Sequence, residues 1–170
     1  MTKGGVMIED LLELWRVHEE INLFLLENIP AEGFAAVTLL KNGRPSTGRT
    51  VSRVFAHLHG VRLAHLGREL LKGVPRFETG ASPGREELME AFRASGRGIE
   101  QRLARIVERR ERIKDRTGVI MAGYLIAQES HHSGQILLAL KQSAVRVPDQ
   151  MRFGIWEHWF RPKLKLATRS

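Results

Sequence analysis

The stretch from Val119 to Gln142, VIMAGYLIAQESHHSGQILLALKQ, constrains the fold of this chain more than any other. Met121, Leu125, Gln128, His132, Ile136 and Ala139 recur at spacings of three or four, which places them on one stripe of an α-helix. The stripe is apolar except in its middle, where Gln128 and His132 stand one turn apart. Two such side chains on one helix face can share a metal ion or a substrate. They can also be hydrogen-bonded groups of a core or groove, the usual state of buried polar atoms. Periodicity predicts a helix over 118–143.

Three further stretches keep helical period. Leu11, Leu12, Trp15, Ile21, Leu25 and Leu26 define a helix over 8–28 after a loose lead-in, and Pro30 ends it by disfavouring helical geometry in the residue before it. His18 and Asn22 lie near that stripe and are expected to face inward. The connector 31–48 is long enough to cross a bundle or line a pocket. Thr50 then caps a second helix over 50–72, with Val54, His57, Val61 and Ala64 as its inner stripe and His59 on the opposite side. Ser82-Pro83 is expected to cap and open a third helix over 84–113, whose seam is Leu88, Phe92, Ile99, Leu103 and Ile106. Ser95-Gly96 allows close packing in its middle. Lys114 to Gly118 turns the chain into the central helix. An aromatic segment (Phe153, Trp156, Trp159 and Phe160) and a basic tail occupy 145–170. No strand pattern survives, so the expectation is one all-α domain over 1–170, a four-helix bundle.

The 170 residues and their 42% apolar content suffice for one sizeable core. The formal charge of +8 raises nucleic acid as a partner. Yet the arginines between Arg102 and Arg116 alternate with Glu108, Glu111 and Asp115, the pattern of a solvated, ion-paired helix face, and no binding motif accompanies the basic run Arg161 to Arg169. Nucleic acid is therefore not an expected partner. The chain has no cysteine, which excludes disulfides, a cysteine nucleophile and thiolate zinc sites, and leaves His, Asp, Glu and amide oxygens as ligands. It has neither an apolar run of 18 residues nor a basic-then-apolar leader, so a cytoplasmic protein without membrane contact is expected.

His57 on the second helix, with Gln128 and His132 on the fourth, would give a three-ligand site with open positions, as facing helices of bundles often do. A polar core network is the competing reading of the same spacing. The segments Phe55-Ala56-His57-Leu58-His59-Gly60-Val61-Arg62 and His131-His132-Ser133-Gly134-Gln135-Ile136 resemble the two signature helices of the DinB/YfiT-like superfamily. The resemblance extends to LLELWRVHEEIN, GRTVSRVFAHLH and the aromatic segment around Gly154 to Trp159, almost the whole chain. It implies an up-down-down-up four-helix bundle, often a homodimer, with a divalent metal, zinc or nickel, on three histidines. It further implies a low-molecular-weight-thiol S-transferase or a related hydrolase. In the matching positions His57 and His132 are ligands, whereas Gln128 stands where the family has histidine. An amide oxygen is a weaker zinc or nickel ligand than imidazole. His131 and Glu129 lie about 100° around the helix from their neighbours and do not simply replace it.

A bound ion would act as a Lewis acid toward a thiol or water that arrives as substrate. His18, Asn22 and Glu129 are candidates for supporting or general-base roles, although a Glu beside an apolar stripe is usually exposed. Gln135 can orient a ligand or cap a buried hydrogen bond. His65 and His158 carry no pattern. The alternative function is a non-catalytic small-molecule-binding or stress-associated protein with a degenerate metal site.

Overall fold

A computed structural model describes residues 3–113 and 115–160, so Lys114 and the basic run Arg161 to Arg169 lie outside it, as do the side chains of residues 3–7 and of Phe160. Among the described residues the regular structure is helical: α1 (Lys3–Asn28), α2 (Val51–Leu66), α3 (Arg85–Glu108), α4 (Gly118–Gln142) and α5 (Asp149–Phe160). Two 3-10 turns, Ala31–Ala35 and Arg68–Leu71, and two isolated bridges complete it, with no strand. No helix among these residues is long and apolar enough to cross a membrane.

Several helix ends depart from the sequence pattern for local reasons. α1 begins at Lys3, so most of the expected lead-in is helical. α2 starts as expected, with Thr50 Oγ1 accepting from the Arg53 N–H at 3.3 Å. It stops at Leu66 and not at 72, because Gly67 takes φ 80° and ψ 155° and turns the chain out of the helix. Pro83 does not open α3. It is buried one residue before the cap, and its carbonyl accepts from Ser52 Oγ at 2.8 Å, which ties it to α2. The cap is Gly84, whose N–H donates to Glu87 Oε2 at 2.7 Å. α3 ends at Glu108, short of 113, and the chain leaves through Arg110 at φ 52°. Thr117 caps α4, and the aromatic segment after 145 contains a fifth helix that the pattern did not announce.

α1 lies along α3 and against α5, α2 packs on α3, and α4 touches α1, α2 and α3. The small residues at mid-α3 permit this closeness: Trp15 Nε1 donates to the Gly96 carbonyl at 2.9 Å, and a side chain at Gly96 would collide with Glu19. α5 seats Gly154 on the Phe24 ring and buries Met151, while Phe153 and Trp156 remain exposed.

The core divides into two apolar clusters. One gathers Leu25, Ile29, Phe55, Leu58, Leu88, Phe92, Ile136 and Leu140; the other gathers Leu11, Trp15, Leu66, Ile99, Leu103, Met121 and Leu125. Between them the helices contribute buried polar residues: His18 and Asn22 from α1, Arg62 from α2, Ser95 from α3 and Glu129 from α4. This arrangement corrects the expected inner stripe of α2. Val51, Phe55, Leu58, Arg62 and Leu66 form the buried face, joined by Val54 of the expected stripe, whereas His57 and Val61 are half-buried and Ala64 is exposed. The shift of about one residue, or 100°, follows from α3 covering the side of α2 that carries His59 and Arg62.

Candidate functional site

Two polar constellations meet on α4, on neighbouring faces of the helix. The inner one centres on Glu129, which is fully buried rather than exposed. Its carboxylate accepts two parallel bonds from Arg62, from Nε at 2.7 Å and from Nη2 at 2.8 Å, the bidentate geometry in which guanidinium and carboxylate pair most strongly. His18 Nε2 donates to Glu129 Oε2 at 2.9 Å, and Asn22 Nδ2 donates to the same oxygen at 3.0 Å. Arg62 also stands 2.6 Å from Glu19 Oε2, and its guanidinium lies 4.3 Å from the Phe92 ring centre and 5.1 Å from that of Trp15.

Burial alone would raise the Glu129 pKa, but the Arg62 charge and its hydrogen bonds, helped by His18, hold it down at about 2. Burial wins at Glu19, whose carboxyl is raised despite Arg62, with Glu129 adding to the rise. Arg62 is held firmly protonated because the attraction of the two carboxylates outweighs its burial. A carboxylate so acidic, committed to Arg62 and sealed from solvent has neither the basicity nor the access of a general base. His18, Asn22 and Glu129 form one buried hydrogen-bonded layer with Arg62, in which Asn22 Oδ1 finds no hydrogen-bond donor among the described residues.

The outer constellation holds two of the side chains singled out as metal ligands, His57 and His132. The rings of His57 on α2 and His132 on α4 meet edge to face, with centroids 5.2 Å apart. His132 Nδ1 donates to Gln135 Oε1 at 2.8 Å, while Gln135 Nε2 donates to His131 Nε2 at 2.9 Å. Gln135 thus fixes the proton of His132 on Nδ1 and leaves the Nε2 lone pair free, the arrangement found behind metal-bound imidazoles. Burial lowers the His57 pKa, with further lowering by Arg49 and His132, which favours the neutral form that a ligand needs. One turn from His132, Gln128 Oε1 is buried without a hydrogen-bond partner among the described residues. An orphaned acceptor of this kind costs roughly 1–3 kcal/mol.

The donor types suit a divalent ion: two imidazoles from facing helices and one unsatisfied amide oxygen. Among the described residues no three His, Cys, Asp or Glu side chains are placed to share an ion, so an ion on His57 and His132 would need a further donor of another kind. Arg49 opposes it electrostatically. Compared with known proteins, the chain matches no family model, no curated protein and no solved structure.

Sequence reading named His57 and His132, whose rings meet, and missed Arg62. The missed signal lies in the sequence itself, since Arg62 falls on the stripe Val51, Phe55, Leu58, Leu66. Of the remaining histidines, His65 Nδ1 donates to the Val61 carbonyl at 2.9 Å, and the His158 ring meets Phe24 at a tilt. His59 is buried between Ser95 Oγ, at 3.1 Å, and the Pro75 carbonyl, at 2.8 Å.

Proposed function

We propose that this chain is a member of the DinB/YfiT-like superfamily and a metal-dependent enzyme acting on a small molecule, as a low-molecular-weight-thiol S-transferase or a hydrolase. The observation that carries the reading is the buried, unpartnered Gln128 Oε1 one turn from a His132 whose ring meets His57. The residues that would hold the ion are His57, His132 and Gln128, with zinc or nickel suited to the imidazoles. When bound, such an ion supplies a Lewis acid that lowers the pKa of a thiol or water. Gln135 keeps the His132 lone pair available, and the Arg62–Glu129 pair ties α2 to α4 beside the two imidazoles.

The up-down-down-up topology belongs to the same proposal. The C-terminal half of α1 and of α4 shares one apolar cluster with the N-terminal half of α2 and of α3, which supports α1 and α4 running one way and α2 and α3 the other. The exposed Phe153 and Trp156 on α5 support a homodimer.

Titration of zinc and of nickel into chelator-stripped protein tests the reading. Saturation at about one equivalent per chain is expected, abolished in His132→Ala and weakened roughly 10–100-fold in Gln135→Ala. Binding that survives His57→Ala/His132→Ala would sink the assignment. The amide in place of a third imidazole and the Arg49 charge favour a second reading, a non-catalytic small-molecule-binding protein. It predicts no measurable metal in the parent chain and tight binding in Gln128→His.

A further inference from the structure

We infer that the cavity on the outer side of α2 binds the oxyanion end of a small molecule, a carboxylate or a phosphate, through Arg49 and Arg53. The cavity encloses about 430 Å³ between α2 and the segment 77–81. Arg49 stands just before the cap of α2 and Arg53 one turn further, and both line the cavity, with His57 one turn beyond them. Neither arginine side chain makes an ion pair or hydrogen bond with another described residue. Arg53 Nη2 lies 3.9 Å from where a side chain at Gly80 would begin, and Gly80 has φ +87°, so backbone without a side chain faces the guanidinium there. Glu78 is the one carboxylate in the wall, and it pairs with neither arginine. The wall therefore carries two positive charges against one negative, in a concave site whose protein walls focus the field.

Guanidinium groups suit this ligand because their fork of donors matches an oxyanion, with charge assistance in each bond. The floor is shaped for occupancy, since Ala56, Gly60 and Ala64 project little into the space. Arg49 also lines a second cavity, of about 350 Å³, together with Gln135, the residue that orients His132. An anionic group on Arg49 and Arg53 thus leaves the rest of its molecule at the His57 imidazole, about 6 Å further along the helix. That this molecule is the substrate of the His57–His132 site rests on the function proposed above; the anion site does not.

The test uses chelator-stripped full-length protein and backbone amide NMR, with inorganic phosphate, succinate and the neutral diamide succinamide as probes. Saturable shifts at Gly60, Gly80 and Ala81 are expected with the anions and not with succinamide. Arg49→Gln/Arg53→Gln is expected to weaken anion binding about tenfold or more. Arg49→Lys/Arg53→Lys should retain part of it, and Arg97→Gln, in the cleft between α1 and α3, should change nothing. Response to phosphate alone assigns a phosphoryl group; response to both assigns any oxyanion. Equal affinity in the folded double Gln variant, equal response to succinamide, or no saturable shift with either anion would overturn the inference. Zinc titration of the same samples separates the two ideas: anion binding without metal binding leaves the inference standing and removes the metal enzyme, and the converse does the reverse.

Discussion

Glu129 sets the energetics of its surroundings because a carboxylate sealed from water is tolerable only while Arg62 answers it. Glu129→Gln leaves Arg62 buried with Glu19 as its remaining carboxylate, so a loss of about 3–5 kcal/mol at neutral pH is expected, read as a lower urea midpoint. The pH dependence follows from the direction of the shift. The folded-state value of about 2 lies below the ordinary 4.5, so the stabilisation is fully present above 4.5 and is lost as pH falls toward 2. The gap between wild type and Glu129→Gln should therefore narrow over that interval, and a constant gap would show that charge is not its source. At this scale the sequence was only half legible. Spacing placed Gln128 and His132 on one face of α4, because i and i+4 on one helix always share a face. It left Glu129 outside, because a charged residue beside an apolar stripe is usually solvated, and only its partner, 67 positions away, makes burial affordable.

Among the elements, α2 best separates what pattern supplies from what geometry decides. Leu70 and Leu71 continue the apolar period past the helix, so periodicity alone extends α2 too far. Gly67 ends it by adopting φ 80° with ψ 155°, a backbone region open almost only to glycine. No heavy atom lies within 4 Å of a side chain built there, so Gly67→Ala isolates the backbone strain from any clash. A destabilisation of about 1–3 kcal/mol is expected in thermal or urea unfolding. A neutral result would mean that the turn relaxes into the 3-10 segment without penalty. The seam of α3 was legible in full, since Leu88, Phe92, Ile99, Leu103 and Ile106 are all buried. α5 was not, because its exposed Phe153 and Trp156 obscure the short buried face of Met151 and Gly154.

In the whole molecule, two apolar clusters hold the helices while the polar layer between them fixes how they align. Apolar contacts tolerate a slip of one helix along another, but a fully buried bidentate Arg62–Glu129 pair does not, because any slip strands both charges. The same pair lies on the two helices that carry His57 and His132, so alignment of the layer and apposition of the imidazoles are one constraint. Replacing both partners should separate stability from alignment. In Arg62→Leu/Glu129→Leu no opposite buried charge is left alone within the pair, although Glu19 loses its partner, so the double variant should be more stable than Glu129→Gln. Its α2–α4 contact, no longer tied to one alignment, should let the His57 and His132 rings part, and zinc affinity should fall although neither ligand has been touched. Urea midpoints and zinc titrations on the same samples check both halves. A double variant less stable than Glu129→Gln would place the layer's value in its energy, and one that keeps wild-type zinc affinity would show that the apolar clusters align the helices unaided.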